Sequence, residues 1–319
     1  MKRIIVTGCL GQIGSELVYR LRQEKGLENV LATDIRKPEG HPVVEEGLFE
    51  VLDVLDEEKM LTLATEFEAD TMIHLASLLS SVAEDKPQVA WHINMSGLMN
   101  ALEVSRKLNL QFFTPSSIGA FGPETPKINT PQDTLQRPKT MYGITKVAGE
   151  LLCDYYHTKF GVDQRGLRIN KLISYDTLPG GGTTDYAVEI YYEALKKGSY
   201  VCPIGEGTVM DMMYMPDAIN AIVDLMEAPE EQLVHRNAFN ISAMSFDPEE
   251  IKASIQKVMP DFTMTYDVNP KLQGIADSWP DTLDCHVAKE EWQFSPTYDL
   301  DKMTVDMLEK LSIKLAKEN

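Results

Sequence analysis

The sequence predicts an α/β fold: a parallel sheet doubly wound by helices, with a smaller loop-rich region toward the C-terminus. Three observations carry that expectation. Short β-rich runs alternate with helical patterns through the first half of the 319 residues. Those runs are continuously apolar, as strands covered on both faces must be. The first of them ends in a glycine-spaced turn, TGCLGQIG, where a helical pattern begins. Right-handed crossovers then wind the helices onto both faces.

In chain order, RIIVT reads as the first strand, and the helix after it carries Ile13, Leu17, Val18 and Leu21 on one stripe. NVLATD is the second strand, ending at Asp34, and FEVLDV the third, followed by a helix over residues 56–67. DTMIHLA is the fourth, before a long helical stretch over 87–107. LQFFTPSS is the fifth and puts Ser116 and Ser117 at its end. A helix opening at MYGITKVAGELLCDYY precedes the sixth strand, VDQRGLRI, and Ile144, Val147, Ala148, Leu151 and Leu152 are expected to pack that helix. Beyond Lys171 the rhythm loosens around the glycine-rich loop LPGGGTTDY. The expected division is 1–172 with a returning segment over 208–228 for the wound sheet. Residues 173–207 and 229–319 form the smaller region, within one compact body.

Composition excludes several classes. A net charge of −19 leaves no basic stripe for nucleic acid. The opening MKRIIVTG is too short an apolar run for a signal peptide, and no stretch is long enough to span a membrane. Cys9, Cys153, Cys202 and Cys285 lie far apart with no Cys-x-x-Cys, which fits reduced thiols in a cytoplasm. The six histidines show no pairing at ligand spacing, so no metal is expected.

Gly8, Gly11 and Gly14 are either a tight turn or a phosphate cradle. In a doubly wound sheet of the Rossmann type, the first strand-to-helix turn brings a helix N-terminus to a pyrophosphate. Asp34, at the end of the second strand, is placed to bond both ribose hydroxyls of an adenosine and to repel a 2′-phosphate. That favours NAD over NADP, a preference Arg36 weakens; the competing reading of Asp34 is a cap or a solvated turn. Gln12 and Ile13 at the helix start, and Val54, Leu75 and Ala76 near strand ends, complete the expected cofactor contacts. Asp53 is placed to reach an adenine amino group or to sit in solvent.

Tyr142 and Lys146 lie four apart on one helix face. A phenol is a poor base at neutral pH, but an adjacent ammonium favours the phenolate. The phenolate can then take a substrate proton while hydride leaves the same carbon. A hydroxyl at Ser116 or Ser117 is placed to orient the substrate oxygen.

Together, Thr7-Gly8-x-x-Gly11-x-x-Gly14, the strand-end serines and Tyr142-x-x-x-Lys146 resemble the extended short-chain dehydrogenase/reductase superfamily over nearly the whole chain. HLASLLSS, PSSIGAFGP, YGITKVAGELL, PGGGTTDYA, MMYMPDA and IADSWP, in that order, resemble its short-chain-type L-threonine 3-dehydrogenases. The resemblance implies NAD-dependent oxidation of L-threonine to 2-amino-3-oxobutyrate. Tyr142 is then the general base, Lys146 holds the nicotinamide ribose, and Ser117 polarises the substrate hydroxyl. Ser80, Ser116, Gly182, Thr183, Thr184 and Trp279 match the substrate-contacting segments; Asp185 is a substrate group or a loop organiser. It further implies a homodimer through the helices over 87–107 and 141–160, against purely intrachain burial of both. One segment departs: where relatives read R-Y-P-G beside the nicotinamide carboxamide, this chain has Arg168-Ile169-Asn170-Lys171.

Two other functions share these features. A nucleotide-sugar epimerase or dehydratase would want cationic side chains for its substrate's pyrophosphate, and GGGTTDYA and IADSWPDTLD are neutral or acidic. A non-enzymatic NAD-binding regulator would tolerate the altered Asn170-Lys171 segment, though such proteins commonly lose the tyrosine or lysine kept here.

Overall fold

A computed structural model describes residues 1–176 and 185–318. Six parallel strands form the central sheet. They are β1 (Ile4–Thr7), β2 (Val30–Asp34), β3 (Phe49–Val51), β4 (Thr71–His74), β5 (Gln111–Phe113) and, after the two-residue β6 (Ser116–Ser117), β7 (Gln164–Arg165). Their order is β3-β2-β1-β4-β5-β7, so the direction of winding reverses between β1 and β4. A crevice opens there at the carboxyl ends of the strands, the usual ligand position in such sheets.

The apolar strands serve two cores. Ile4 and Val6 face one, with Leu17, Val18 and Leu21 of the helix Gln12–Lys25 and with Ala218, Ile222 and Leu225 of the helix Met215–Glu227. Ile5 faces the other, with Met60 and Ala64 of Glu57–Glu66, Leu98 and Leu102 of Gly97–Leu108, and Cys153 and Tyr156 of Met141–Phe160. The alternation is the two-residue period of a strand with both faces covered.

Three sequence expectations change. The fifth strand does not run through to the serines: it stops at Phe113, and β6 pairs instead with β8 (Leu167–Ile169), Ser117 opposite Ile169. Pro115 between them has no N–H to continue a ladder. The sixth strand likewise divides at Gly166, where a Cβ would lie 2.7 Å from Asn237 Oδ1 and 2.9 Å from the Thr114 carbonyl oxygen. The helix Met141–Phe160 is packed only in part by its apolar stripe: Leu152 rests on the second core and Val147 and Ala148 are half-buried. Its buried residues are Gly143, Thr145, Gly149, Glu150, Cys153 and Tyr156, while Ile144 is 42% and Leu151 65% exposed. The small and hydrogen-bonded residues lie inward because strand ends and Gly97–Leu108 approach that face closely; Gly149 sits against Leu98, where a Cβ would come within 3.1 Å.

The helical stretch 87–107 is present as Pro87–Trp91, a wide π-turn His92–Ser96, and Gly97–Leu108. Beyond β8, the strands β9 (Lys171–Ile173), β10 (Ser199–Cys202), β11 (Met210–Tyr214), β12 (Phe239–Asn240), β13 (Met244–Phe246) and β14 (Thr263–Tyr266) form small sheets. Their orders are β6-β8-β12, β9-β11-β13 and β10-β14. A third core, with Tyr186, Tyr191, Tyr214, Phe246 and Phe262, holds this region together.

Candidate active site

The glycine turn is built for close approach. Gly8 has φ +69°, and a Cβ on it would lie 2.6 Å from Ala76 N, so β1 and β4 meet there without a side chain between them. A Cβ on Gly14 would lie 2.5 Å from the Gly8 carbonyl oxygen. Gly11 caps the helix Gln12–Lys25 with no side-chain hydrogen bond, and no acid occupies the first turn. The first-turn amides, Gln12 and Ile13 among them, therefore face an end that favours an anion. These features fit a pyrophosphate. Asp34, buried at the end of β2, accepts from Leu10 N at 3.2 Å and Arg36 N at 3.2 Å, and Arg36 Nε lies 3.8 Å from the same carboxylate. Leu75 and Ala76 are half-buried beside the turn, with Leu75 N bonded to the Thr7 carbonyl. Val54 is buried against Gly97, whereas Asp53 is exposed and accepts from Leu55 N, a local turn bond.

Tyr142 and Ser117 meet around Gly119. A Cβ there would lie 3.3 Å from Tyr142 Cδ1 and 3.5 Å from Ser117 Oγ, so the missing side chain lets the tyrosine ring and the serine hydroxyl share one space. Ser117 Oγ accepts from Gly119 N at 3.1 Å. Thr140 caps the helix that carries Tyr142, accepting from Gly143 N at 3.1 Å. Lys146 Nζ lies 5.4 Å from the Tyr142 ring centroid and donates to the Pro115 carbonyl at 2.7 Å. The break at Pro115 thus supplies the oxygen that fixes the lysine.

Other expected residues fall elsewhere. Ser116 is buried and donates to Glu150, away from Ser117. Ser80 is exposed at the start of Ser80–Asp85, and Trp279 is half-buried against the first core. Asp185, at the N-terminus of Tyr186–Lys197, faces Lys171 Nζ at 2.5 Å. Gly182, Thr183 and Thr184 lie outside the described residues.

Sequence spacing missed the side chains that hold these groups in place. Asn94, buried in the π-turn, accepts from Leu78 N at 2.7 Å and donates to Thr145 Oγ1 at 3.2 Å, tying the segment after β4 to the tyrosine helix. Glu150, one turn beyond Lys146, binds Arg168 Nη2 at 2.9 Å and Gln136 Nε2 at 2.8 Å. In the departing segment, Asn170 donates to Asp211 Oδ2 at 2.9 Å, and Ser242 and Ser245 donate to the same carboxyl. Burial pushes Asp211 up to about 7 despite those bonds. Glu16, on the glycine-turn helix, accepts from Ser174 Oγ at 2.7 Å and is pushed up to about 7, chiefly by burial. His74, at the end of β4, is fully buried and pushed down to about 3 by burial, with the Lys146 charge adding.

A family model described as the NAD dependent epimerase/dehydratase family matches residues 4–242. The chain belongs to that family. NAD is its cofactor, and the glycine cradle fits it. An uncharacterized epimerase/dehydratase of Staphylococcus aureus is 59% identical over 314 residues, 98% of each chain. The structure of L-threonine dehydrogenase from Clostridium difficile is 64% identical, covers 98% of each chain and superposes with a TM-score of 0.97. That of L-threonine dehydrogenase from Phytophthora infestans is 47% identical over 98% of this chain and 100% of its own, with a TM-score of 0.93. This family member is therefore an NAD-dependent enzyme with threonine dehydrogenases among its structural neighbours. No helix among the described residues is long and apolar enough to cross a membrane.

Proposed function

We propose that the protein oxidises L-threonine at its 3-hydroxyl to 2-amino-3-oxobutyrate. The observation that carries this reading is the full-length likeness to threonine dehydrogenases, joined to the pairing of Ser117 and Tyr142 across Gly119. NAD, when bound, supplies the acceptor for the C3 hydride. The turn at Gly8, Gly11 and Gly14 holds its pyrophosphate, Asp34 its adenosine ribose, and Lys146 its nicotinamide ribose. Ser117 Oγ orients the substrate oxygen, and Tyr142 Oη takes the hydroxyl proton as the carbonyl forms. Lys146, held by the Pro115 carbonyl, keeps a positive charge beside the phenol. Trp279, Ser80 and Asp185 belong to the smaller region and loops that recognise the zwitterion.

The test is NADH formation on adding L-threonine, run beside NADP and beside UDP-sugars. The expected result is NADH from L-threonine, with NAD preferred over NADP. The likeness to the Staphylococcus epimerase/dehydratase favours a second reading, epimerase or dehydratase chemistry on a nucleotide sugar. Tight binding of a UDP-sugar without NADH from L-threonine would establish it instead.

The exposed stripe Ile144, Leu151 and Tyr155, with Met99 on Gly97–Leu108, is the surface we assign to a homodimer. Leu151→Glu is expected to give monomers in sedimentation; a parent protein that sediments as a monomer rules the dimer out. A cytoplasmic setting fits the four free, buried cysteines.

A further inference from the structure

Ser80, assigned above to recognition of the zwitterion, opens the short helix Ser80–Asp85. That helix has little core of its own. Ala83 is its one buried residue, while Val82 and the preceding Leu79 are exposed. So few buried apolar contacts do not hold a short helix in place, and its polar ties must do so.

Two ties run to the helix Met141–Phe160. Before Ser80, Asn94 accepts from Leu78 N at 2.7 Å, donates to the Leu78 carbonyl at 3.1 Å and donates to Thr145 Oγ1 at 3.2 Å. After Ser80, Glu84 Oε1 accepts from Met141 N at 2.6 Å. Met141 and Thr145 lie four apart on one helix face, next to the face that carries Tyr142 and Lys146. Ser80 and Glu84 are also four apart, so Ser80 lies on the side of its helix turned toward the tyrosine helix.

The second tie also completes the start of the tyrosine helix. The first amides of a helix have no partner within it. Thr140 Oγ1 takes that of Gly143, and Glu84 takes that of Met141. A carboxylate at this end is favoured by the helix dipole. The same turn is seated closely on the segment after Ser117: a Cβ on Gly143 would lie 2.2 Å from the Gly119 carbonyl oxygen.

We propose that Glu84 is a positioning residue that latches the helix Ser80–Asp85 to the first turn of the tyrosine helix, and so holds Ser80 toward the turn that carries Tyr142. Asn94 is buried and Glu84 exposed, so Glu84 is the tie that water can replace. Glu84 acts on the substrate through Ser80, whereas Tyr142 keeps its own supports, the Thr140 cap and the contact with Gly119. Loss of the latch therefore weakens substrate binding more than the proton transfer.

The inference rests on the proposed threonine activity, and its test separates the two. Glu84→Ala should raise the KM for L-threonine about tenfold, the scale of one hydrogen bond, with kcat within about twofold of the parent's. NAD affinity by fluorescence should not change. Glu84→Gln, whose side-chain oxygen accepts at the same reach, should restore most of the parent KM. Ser80→Ala should raise KM as well, and adding Glu84→Ala to it should raise KM no further, since the two act as one unit. Hydrogen exchange in the NAD-bound protein should quicken over residues 79–85 and at the Met141 amide in Glu84→Ala, and not in Glu84→Gln. An unmoved KM in Glu84→Ala, a glutamine variant as impaired as the alanine one, or additive effects in the double variant overturns the proposal. If the parent forms no NADH from L-threonine, the threonine reading falls and exchange decides Glu84 alone. Faster exchange at Met141 in Glu84→Ala then supports the latch, and unchanged exchange overturns it.

Discussion

Two buried carboxylates bind neighbouring positions of one segment, Glu150 at Arg168 in β8 and Asp211 at Asn170 just after it, and they are compensated in different ways. Glu150 meets a full positive charge, Arg168, with both side chains under a tenth exposed. Asp211 meets neutral donors, Asn170, Ser242 and Ser245. The first arrangement joins the helix that carries Tyr142 and Lys146 to the strand beside Ser117. The second joins the end of β8 to β11 and β13 on the side of the smaller region. An ion pair holds its geometry at the cost of desolvating two charges. A carboxyl among neutral donors avoids burying a cation, and burial then pushes its titration toward neutrality. The helix of Tyr142 and Lys146 therefore carries the paired charge, whereas Asp211, like Glu16 on the glycine-turn helix, is a carboxyl left to respond to pH.

Removing one member of the ion pair should break this contrast most severely. Glu150→Leu leaves Arg168 buried and unpaired, and is expected to cost about 3–5 kcal/mol in urea unfolding. A loss below about 1 kcal/mol would mean that Arg168 finds other partners or water.

Asp211→Asn should act in the opposite direction, and only over part of the pH range. The folded carboxyl keeps its proton up to about 7, whereas the unfolded chain releases it around the ordinary value of 3.8. The stability it contributes is thus complete below 3.8, declines across the interval, and is lost above about 7. The asparagine variant still accepts from Asn170 and carries no charge to bury. It should match the parent at low pH and exceed it by about 2 kcal/mol at alkaline pH, read as melting temperature against pH. Part of the decline should survive in the variant, because Glu16 titrates over the same interval. Identical pH profiles for parent and variant would show that Asp211 is solvated.

How far this was legible in the sequence follows from the same contrast. The glycine turn, Asp34 at the end of β2, and Tyr142 with Lys146 are written in spacings of three to a few tens of residues, which a helix or one βαβ unit converts directly into geometry. Glu150–Arg168, Asn170–Asp211 and Ser174–Glu16 join positions 18, 41 and 158 residues apart, and no local period marks them. The breaks at Pro115 and Gly166 were visible as residue types, but only the pairing of β6 with β8 shows what they do. The apolar stripe of Met141–Phe160 had the correct helical period; a period cannot tell a face turned to the core from one left outside.

The most direct measurement is NADH formation from L-threonine by Tyr142→Phe beside the parent, with NAD affinity measured on both by fluorescence. The phenyl ring keeps the packing against Gly119 and removes only the hydroxyl. The expected result is unchanged NAD affinity with turnover lowered by about 10²–10⁴-fold, the usual contribution of a general base. Turnover in Tyr142→Phe equal to the parent's would contradict the assignment of Tyr142 as the group that takes the substrate proton.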